Sequence, residues 1–361
     1  MARAEIPLTT EDPAAAHDVV LQTANLYKVY MSGMGDFIRR PTVPALSDLN
    51  MEVRRGEVFA MIGPNGSGKT TTLKLLMGLI FPTRGTVRVL GRNPRSDVNI
   101  KRRIGFMPDG PYFYGHLNGF ELLDFYANLL GIDPQVRKRR IPELLDMVGM
   151  TNRARNRVRT YSKGMVQRIG LAHALLNNPD IVFLDEPTSG LDPIGARDIR
   201  DVVVRMKEEG KTVFLCSHFL TEIENLCDRV ILLDRGRTLR YGALEDLLSE
   251  PGKMRITASE LTDDAKTKLA SLGRVQRSAE NRPSTDVIAN DGEDVHSAVA
   301  LIRQLGGHLD AVLPMRRTLE DVFMEAVERT QADQPWREAD ADAAGEPAAA
   351  EPVADAAEGE A

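Results

Sequence analysis

Between about residues 21 and 242 the chain alternates short, mainly apolar runs with longer amphipathic stretches. VFAMI (58–62), IVFLD (181–185), TVFLCS (212–217) and RVILLD (229–234) are rich in β-branched and aromatic residues. Runs that are apolar on both faces predict buried strands of a mainly parallel sheet covered by helices. Residues 107–178 break this rhythm. Asn118 and Glu121 stand at capping-box spacing, and Leu122, Leu123, Tyr126, Leu129 and Leu130 then fall on one helical face, so a helical insert is expected here.

After Gly242 the pattern changes. MRITAS (254–259), TDVIAN (285–290) and HLDAVLPM (308–315) read as strands. DDAKTKLASLG (263–273) and EDVHSAVALIRQLGG (293–307) read as helices stopped by glycine, and TLEDVFMEAVE (318–328) opens with Thr318 and Asp321 at capping spacing. This predicts a small α+β domain over 243–330, ferredoxin-like in its order of elements. Residues 1–20 lack periodicity and are expected to form a flexible lead-in. Residues 331–361 are Ala, Pro and acidic residues around an isolated Trp336, too poor in apolar surface to order themselves.

The 361 residues suffice for two domains. No apolar run reaches the length of about 18 residues that a membrane-spanning helix needs. The most apolar stretch, LKLLMGLIF (73–81), is short and carries Lys74, and the start of the chain lacks the layout of a secretion signal. Of the net charge of −6, the last 31 residues hold −8. The rest is close to neutral, which argues against sequence-reading nucleic-acid binding. Cys216 and Cys227, with no histidine at ligand spacing, suggest reduced thiols rather than a zinc site or disulfide framework.

Residues 63–70 read GPNGSGKT: Gly63, Pro64, Asn65, Gly66, Ser67, Gly68, Lys69 and Thr70. This matches the phosphate-cradling loop G-x-x-x-x-G-K-[ST], placed as it should be between a strand and a helical pattern. The glycines let backbone N–H groups turn toward phosphate oxygens. Lys69 is expected to reach the terminal phosphates and the Thr70 hydroxyl to ligate Mg²⁺. Thr71 is expected to open a helix whose N-terminus favours anions. The second signal is Asp185-Glu186, two acids at the end of an apolar strand. Alone, such a pair reads as structural. Beside a phosphate loop, Asp185 is expected to hold Mg²⁺ through water, and Glu186 to orient the attacking water or take its proton.

YSKGMVQR (161–168), TSGLD (188–192), His218 after the strand TVFLCS, Tyr30 in NLYKVY, CDRVILLDRG (227–236) and TLEDVF (318–323) complete a set of ordered motifs. Together they resemble the ATP-binding cassette proteins, in the YSKGM form of ABC-2-type exporter ATPases. The resemblance covers roughly residues 21–330. It implies an α/β P-loop NTPase cassette over 21–242, with its helical subdomain at about 107–178, followed by the small domain and the tail.

The resemblance also assigns roles. Ser162 and Gly164, opening a helix, would bind the γ-phosphate held by an opposite subunit, although Lys163 and Met165 depart from the commoner LSGGQ form. Asp192 would lie in the D-loop, and His218 would sense the γ-phosphate. Tyr30 would stack on adenine, with Tyr27 and Phe37 nearby as alternatives. His173 is expected to be a helix-face residue. Asp109, in IGFMPDG, stands where the family has Gln or Glu. It is expected to touch the metal shell and link it to the insert, the alternative being a solvated turn residue.

The implied ligands are ATP and Mg²⁺. The implied partners are a second cassette, identical or paralogous, and an ABC-2-type permease, at the cytoplasmic face of the cell membrane. Export is favoured over import by the YSKGM and TLEDVF motifs. A soluble cassette ATPase without a permease is the rival; such proteins carry tandem cassettes or a coiled-coil insertion, and neither occurs here. Intact Lys69, Thr70, Asp185, Glu186 and His218 argue against a non-hydrolysing regulatory module.

Overall fold

A computed structural model describes residues 18–32, 40–41, 44–277, 284–290 and 292–333. Most of the expected lead-in, Phe37, and the acidic tail from residue 334 onward lie outside the described residues.

The central sheet has six strands in the spatial order Arg237–Ala243, Arg229–Asp234, Val58–Ile62, Thr212–Ser217, Ile181–Asp185, Ile104–Met107. Its last five strands run parallel. The first joins as an antiparallel hairpin whose two turn residues, Arg235 and Gly236, both have positive φ. Val58–Ile62, Ile181–Asp185 and Thr212–Ser217 are buried at every position, as strands covered on both faces must be. Their registers align Ile62 with Ser217 and Cys216 with Asp185. The segments carrying Gly63, Glu186 and His218 therefore leave the sheet along one edge.

A second, three-stranded antiparallel sheet orders Leu46–Arg54, Val19–Lys28, Arg84–Val89. It packs over one face of the central sheet through a core containing Leu21, Leu49, Val53, Phe59, Phe183 and Phe214. Phe59 and Phe214 stack with centroids 5.3 Å apart.

The other face is covered by Lys163–Ala174 and Pro193–Glu208, and two further helices pack on the first of these. Gly119–Leu129 starts on a complete capping box: Asn118 and Glu121 exchange two bonds of 2.9 Å. It buries Leu122, Leu123 and Ala127, while Leu129 and Leu130, read as part of the same face, are exposed at its C-terminal end. Pro134–Met147 begins with Asp133 as its cap and proline at its first position. Lys163–Ala174 lies against the strand Ile104–Met107. Gly105 permits this approach, since a Cβ there would meet the Ala174 carbonyl oxygen at 2.2 Å.

Beyond residue 248 a four-stranded antiparallel sheet orders Gly273–Arg277, Ser284–Asn290, Ser249–Ser259, His308–Arg316. With helices Asp263–Leu269 and Glu293–Gln304 the sequence of elements is ferredoxin-like. Ile256, Leu269, Val287, Ala298 and Ile302 form its own core. The final helix, Leu319–Asp333, does not join that core. Leu319, Val322 and Ala326 are buried with Ile223, Leu239, Leu244 and Leu248. The unit read as 243–330 is thus divided, its last helix belonging to the larger body by packing. No helix among the described residues is long and apolar enough to cross a membrane.

Candidate functional site

The phosphate loop leaves the strand Val58–Ile62 and enters the helix Lys69–Leu76. The helix begins at Lys69, two residues before Thr71, because Gly68 adopts φ 110° and completes the turn early. A Cβ on Gly68 would also strike the Ala45 carbonyl and Leu46 Cδ2, each at 2.7 Å. The loop walls a cleft of about 360 Å³ lined by Ala45, by Pro64 through Thr71, and by Asp109, Asp185 and Glu186.

Lys69 is buried. Its ammonium donates to the Gly63 carbonyl at 2.6 Å and the Pro64 carbonyl at 3.3 Å, and stands 3.5 Å from Glu186 Oε1. Ser67 Oγ is buried with no hydrogen-bond partner among the described residues. A buried hydroxyl in that condition, on the wall of the cleft, suits a polar guest.

Two acids close the far wall. Asp185 accepts the Thr70 hydroxyl at 3.3 Å. Its carboxyl is held above the usual carboxylate range, first by burial, then by the neighbouring Glu186 charge and, more weakly, by Asp109. Glu186 stands at φ 50°, with its N–H on the Cys216 carbonyl at 2.9 Å. Its Oε2 lies 2.8 Å from His218 Nδ1. The excess of negative charge and the hard oxygen donors fit a divalent cation. Among the described residues no three acidic, histidine or cysteine side chains form a self-sufficient metal cage. An oxygen pair such as Thr70 and Asp185 instead suits Mg²⁺ that keeps waters and shares ligands with substrate phosphates.

Tyr30 stands at the rim. Its hydroxyl is 3.4 Å from Thr71 Oγ1, its side chain is 43% exposed, and the Lys28 ammonium lies 5.2 Å from the ring centroid. Tyr27 is engaged elsewhere, beneath the Arg84 guanidinium. The His218 ring packs on Phe219 with centroids 3.9 Å apart.

Three sequence-identified residues stay outside this cleft. Ser162 caps Lys163–Ala174, accepting the Met165 N–H at 3.3 Å. Gly164 faces Leu191, since a Cβ there would lie 3.5 Å from Leu191 Cδ2. Asp192 caps Pro193–Glu208 through the Gly195 N–H at 2.8 Å. Gln167 donates to the Ser189 carbonyl at 3.3 Å, and Lys163 Nζ sits against Gly190. YSKGMVQR (161–168) and TSGLD are therefore joined to each other, and neither lines the cleft of the chain's own phosphate loop. His173 packs edge-on to Tyr126 at 4.4 Å and Phe113 at 5.9 Å, and burial pushes its imidazole pKa down, so it is held neutral in an aromatic cluster.

Sequence reasoning missed two acids. Glu222 accepts the Thr188 hydroxyl at 2.5 Å, and Glu224 accepts the Leu319 N–H at 2.5 Å. Neither ends an apolar strand nor sits at motif spacing, so only their tertiary partners single them out.

The profile of the ABC transporter family matches residues 46–189. An uncharacterized ABC transporter ATP-binding protein of Nostoc sp. is 37% identical over 335 residues, covering 90% of this chain and 93% of its own length. A fluoroquinolones export ATP-binding protein of Mycobacterium tuberculosis is 34% identical over 290 residues, covering 79% and 88%. Among solved structures, a dimeric ATP-binding cassette in a post-hydrolysis state bound to ADP and Pi superposes with a TM-score of 0.55 at 28% identity. That match covers 62% of this chain and 98% of the other.

Proposed function

Because this chain belongs to the ATP-binding proteins of ABC transporters, we propose that its ATP hydrolysis, carried out with Mg²⁺ in a head-to-tail pair of cassettes, drives export through a separate ABC-2-type permease. The observation that carries this reading is the run Lys69–Glu186–His218 at the mouth of the phosphate loop, with contacts of 3.5 and 2.8 Å.

Each residue then has a task. The loop N–H groups cradle the phosphates. Lys69 exchanges the Gly63 and Pro64 carbonyls for phosphate oxygens. Glu186 orients the attacking water or accepts its proton, and His218, in contact with Glu186, reaches toward the γ-phosphate. Tyr30 offers its ring face to adenine from the rim. A bound Mg²⁺ would neutralise phosphate charge, held by Thr70 and Asp185 with Asp109 reaching it through water. Phosphoryl transfer asks chiefly for such positioning and charge stabilisation.

Pairing is supported by the placement of Ser162, Gly164 and Asp192. They present a helix N-terminus and a capped loop away from their own cleft, where a second copy or a paralogue could receive them. Export is supported by the relative named for fluoroquinolone export and by the YSKGM and TLEDVF motifs. The chain would then work at the cytoplasmic face of the membrane, docked through its helical insert.

The test is reconstitution with the membrane protein that co-purifies with the chain. ATP turnover should rise several-fold in its presence, and substrate should move away from the ATPase side. Turnover indifferent to the membrane protein would overturn the coupling, and movement toward the ATPase side would overturn export.

A further inference from the structure

The segment TLEDVF (318–323) resolves into individual jobs. Thr318 and Asp321 cap the helix Leu319–Asp333. The Thr318 N–H and hydroxyl donate to Asp321 Oδ2 at 3.0 and 2.7 Å, and the Asp321 N–H donates to Thr318 Oγ1 at 3.1 Å. Leu319 and Val322 are buried in the core of the ATPase body, and Phe323 packs against it. The Leu319 N–H, at the first helical position, has no acceptor within its own helix. It donates to Glu224 Oε1, 95 residues earlier in the chain, at 2.5 Å. The positive end of the helix dipole favours a carboxylate there.

Glu224 sits at the end of the short helix Leu220–Ile223, which directly follows His218 and Phe219. Four residues cannot hold a helix by propensity alone, so this turn depends on outside anchors. The structure provides two polar ones: Glu222 with the Thr188 hydroxyl, and Glu224 with the Leu319 N–H. Ile223 supplies an apolar one, buried beside Leu319. His218 itself is 41% exposed at its side chain, and its polar contact is with Glu186. Its ring is carried by the end of the buried strand Thr212–Ser217 on one side, and on the other by Phe219 and the turn that follows.

We propose that Glu224 is a positioning residue for hydrolysis: by fixing the turn after His218 to the first residue of the final helix, it keeps the imidazole on Glu186. This rests on the reading of His218 as the γ-phosphate sensor. It ties hydrolysis to the seating of the final helix, the element that follows the ferredoxin-like sheet. Glu222 braces the same turn against Thr188, in the loop that leads to Asp192.

The experiment compares steady-state ATP hydrolysis by the full-length chain with Glu224→Ala, Glu224→Gln, His218→Ala and the double variant, well below their melting temperatures. Glu224→Ala should lower kcat about tenfold while KM for ATP moves less than about twofold, the pattern of a defect in the chemical step rather than in binding. Glu224→Gln retains an acceptor oxygen and should recover most of the rate. Added to His218→Ala, Glu224→Ala should cost little more, because both act through one imidazole. A wild-type kcat in Glu224→Ala, or a full additional loss on the His218→Ala background, overturns the proposal while leaving His218 its role. Near-normal turnover in His218→Ala overturns the sensor reading and the proposal with it.

Discussion

Glu186 reaches His218 across 2.8 Å from a backbone held at φ 50°, a conformation that non-glycine residues seldom adopt. The Glu186 N–H on the Cys216 carbonyl fixes that backbone geometry, and with it the direction in which the carboxylate is aimed. Backbone strain of this kind costs of order 1 kcal/mol and persists where the surroundings over-determine it.

Glu186→Gln keeps the shape of the side chain and removes its basicity. ATP binding should be retained, hydrolysis should slow by at least about a hundredfold, and the ATP-bound pair should accumulate. Single-turnover hydrolysis together with size-exclusion chromatography in ATP reads both effects. Near-normal turnover would remove Glu186 from the role given to it.

Asp109 should be visible in the pH profile. The folded-state pKa of Asp185 is raised, so the stability due to its bound proton is present below the ordinary carboxylate value. That stability is lost as pH rises through the higher folded value. Metal binding needs the ionised form and is gained over the same rise. Asp109 is one of the charges holding that pKa up, so Asp109→Asn should move the acid limb of Mg²⁺-dependent kcat/KM to lower pH. An unmoved limb would place Asp109 outside the metal's surroundings. In the same series Asp109→Ala should reduce permease-stimulated turnover more than basal turnover, and Asp109→Gln should keep much of the stimulation.

The packing of the final helix predicts an asymmetry in stability. Leu319 is fully buried in the large core, and truncating such a leucine to alanine costs about 2–5 kcal/mol. Leu319→Ala should therefore lower the urea midpoint of the ATPase body. Ile302→Ala, equally buried in the separate core of the ferredoxin-like unit, should lower that of the small domain first. Coincident unfolding of both units in both variants would mean that the two cores are one cooperative body.

How far the sequence could be read depends on the range of the forces involved. The fully buried strands, the phosphate loop and the acid pair Asp185-Glu186 were legible because each is written in consecutive residues. The Asn118–Glu121 box was legible for the same reason. The strand Gly273–Arg277 was not. Its RVQR core carries polar side chains on an edge position, and its pairing with Ser284–Asn290 is what makes it a strand. The three-stranded sheet was also obscure, because register shifts interrupt the pairing of Val19–Lys28 with both neighbours and blur the alternation. Capping of the last helix by Thr318 and Asp321 was visible, but its partner was not. Nothing local in TLEDVF says that Leu319 lies beside Ile223 or that its N–H meets Glu224. The separation of Ser162, Gly164 and Asp192 from the cleft is likewise a matter of tertiary distance, with no trace in spacing.

YSKGMVQR is bonded to TSGLD within one chain, through Gln167 with Ser189 and Lys163 against Gly190, so in the proposed head-to-tail pair each subunit would be both a holder and a donor. In the proposed pair, defects would therefore complement across copies. A Lys69 variant mixed with a Ser162 variant would form mixed dimers in which one cleft collects both lesions and the other collects none. Two individually inactive preparations would then regain turnover on mixing, in proportion to the fraction of mixed dimers.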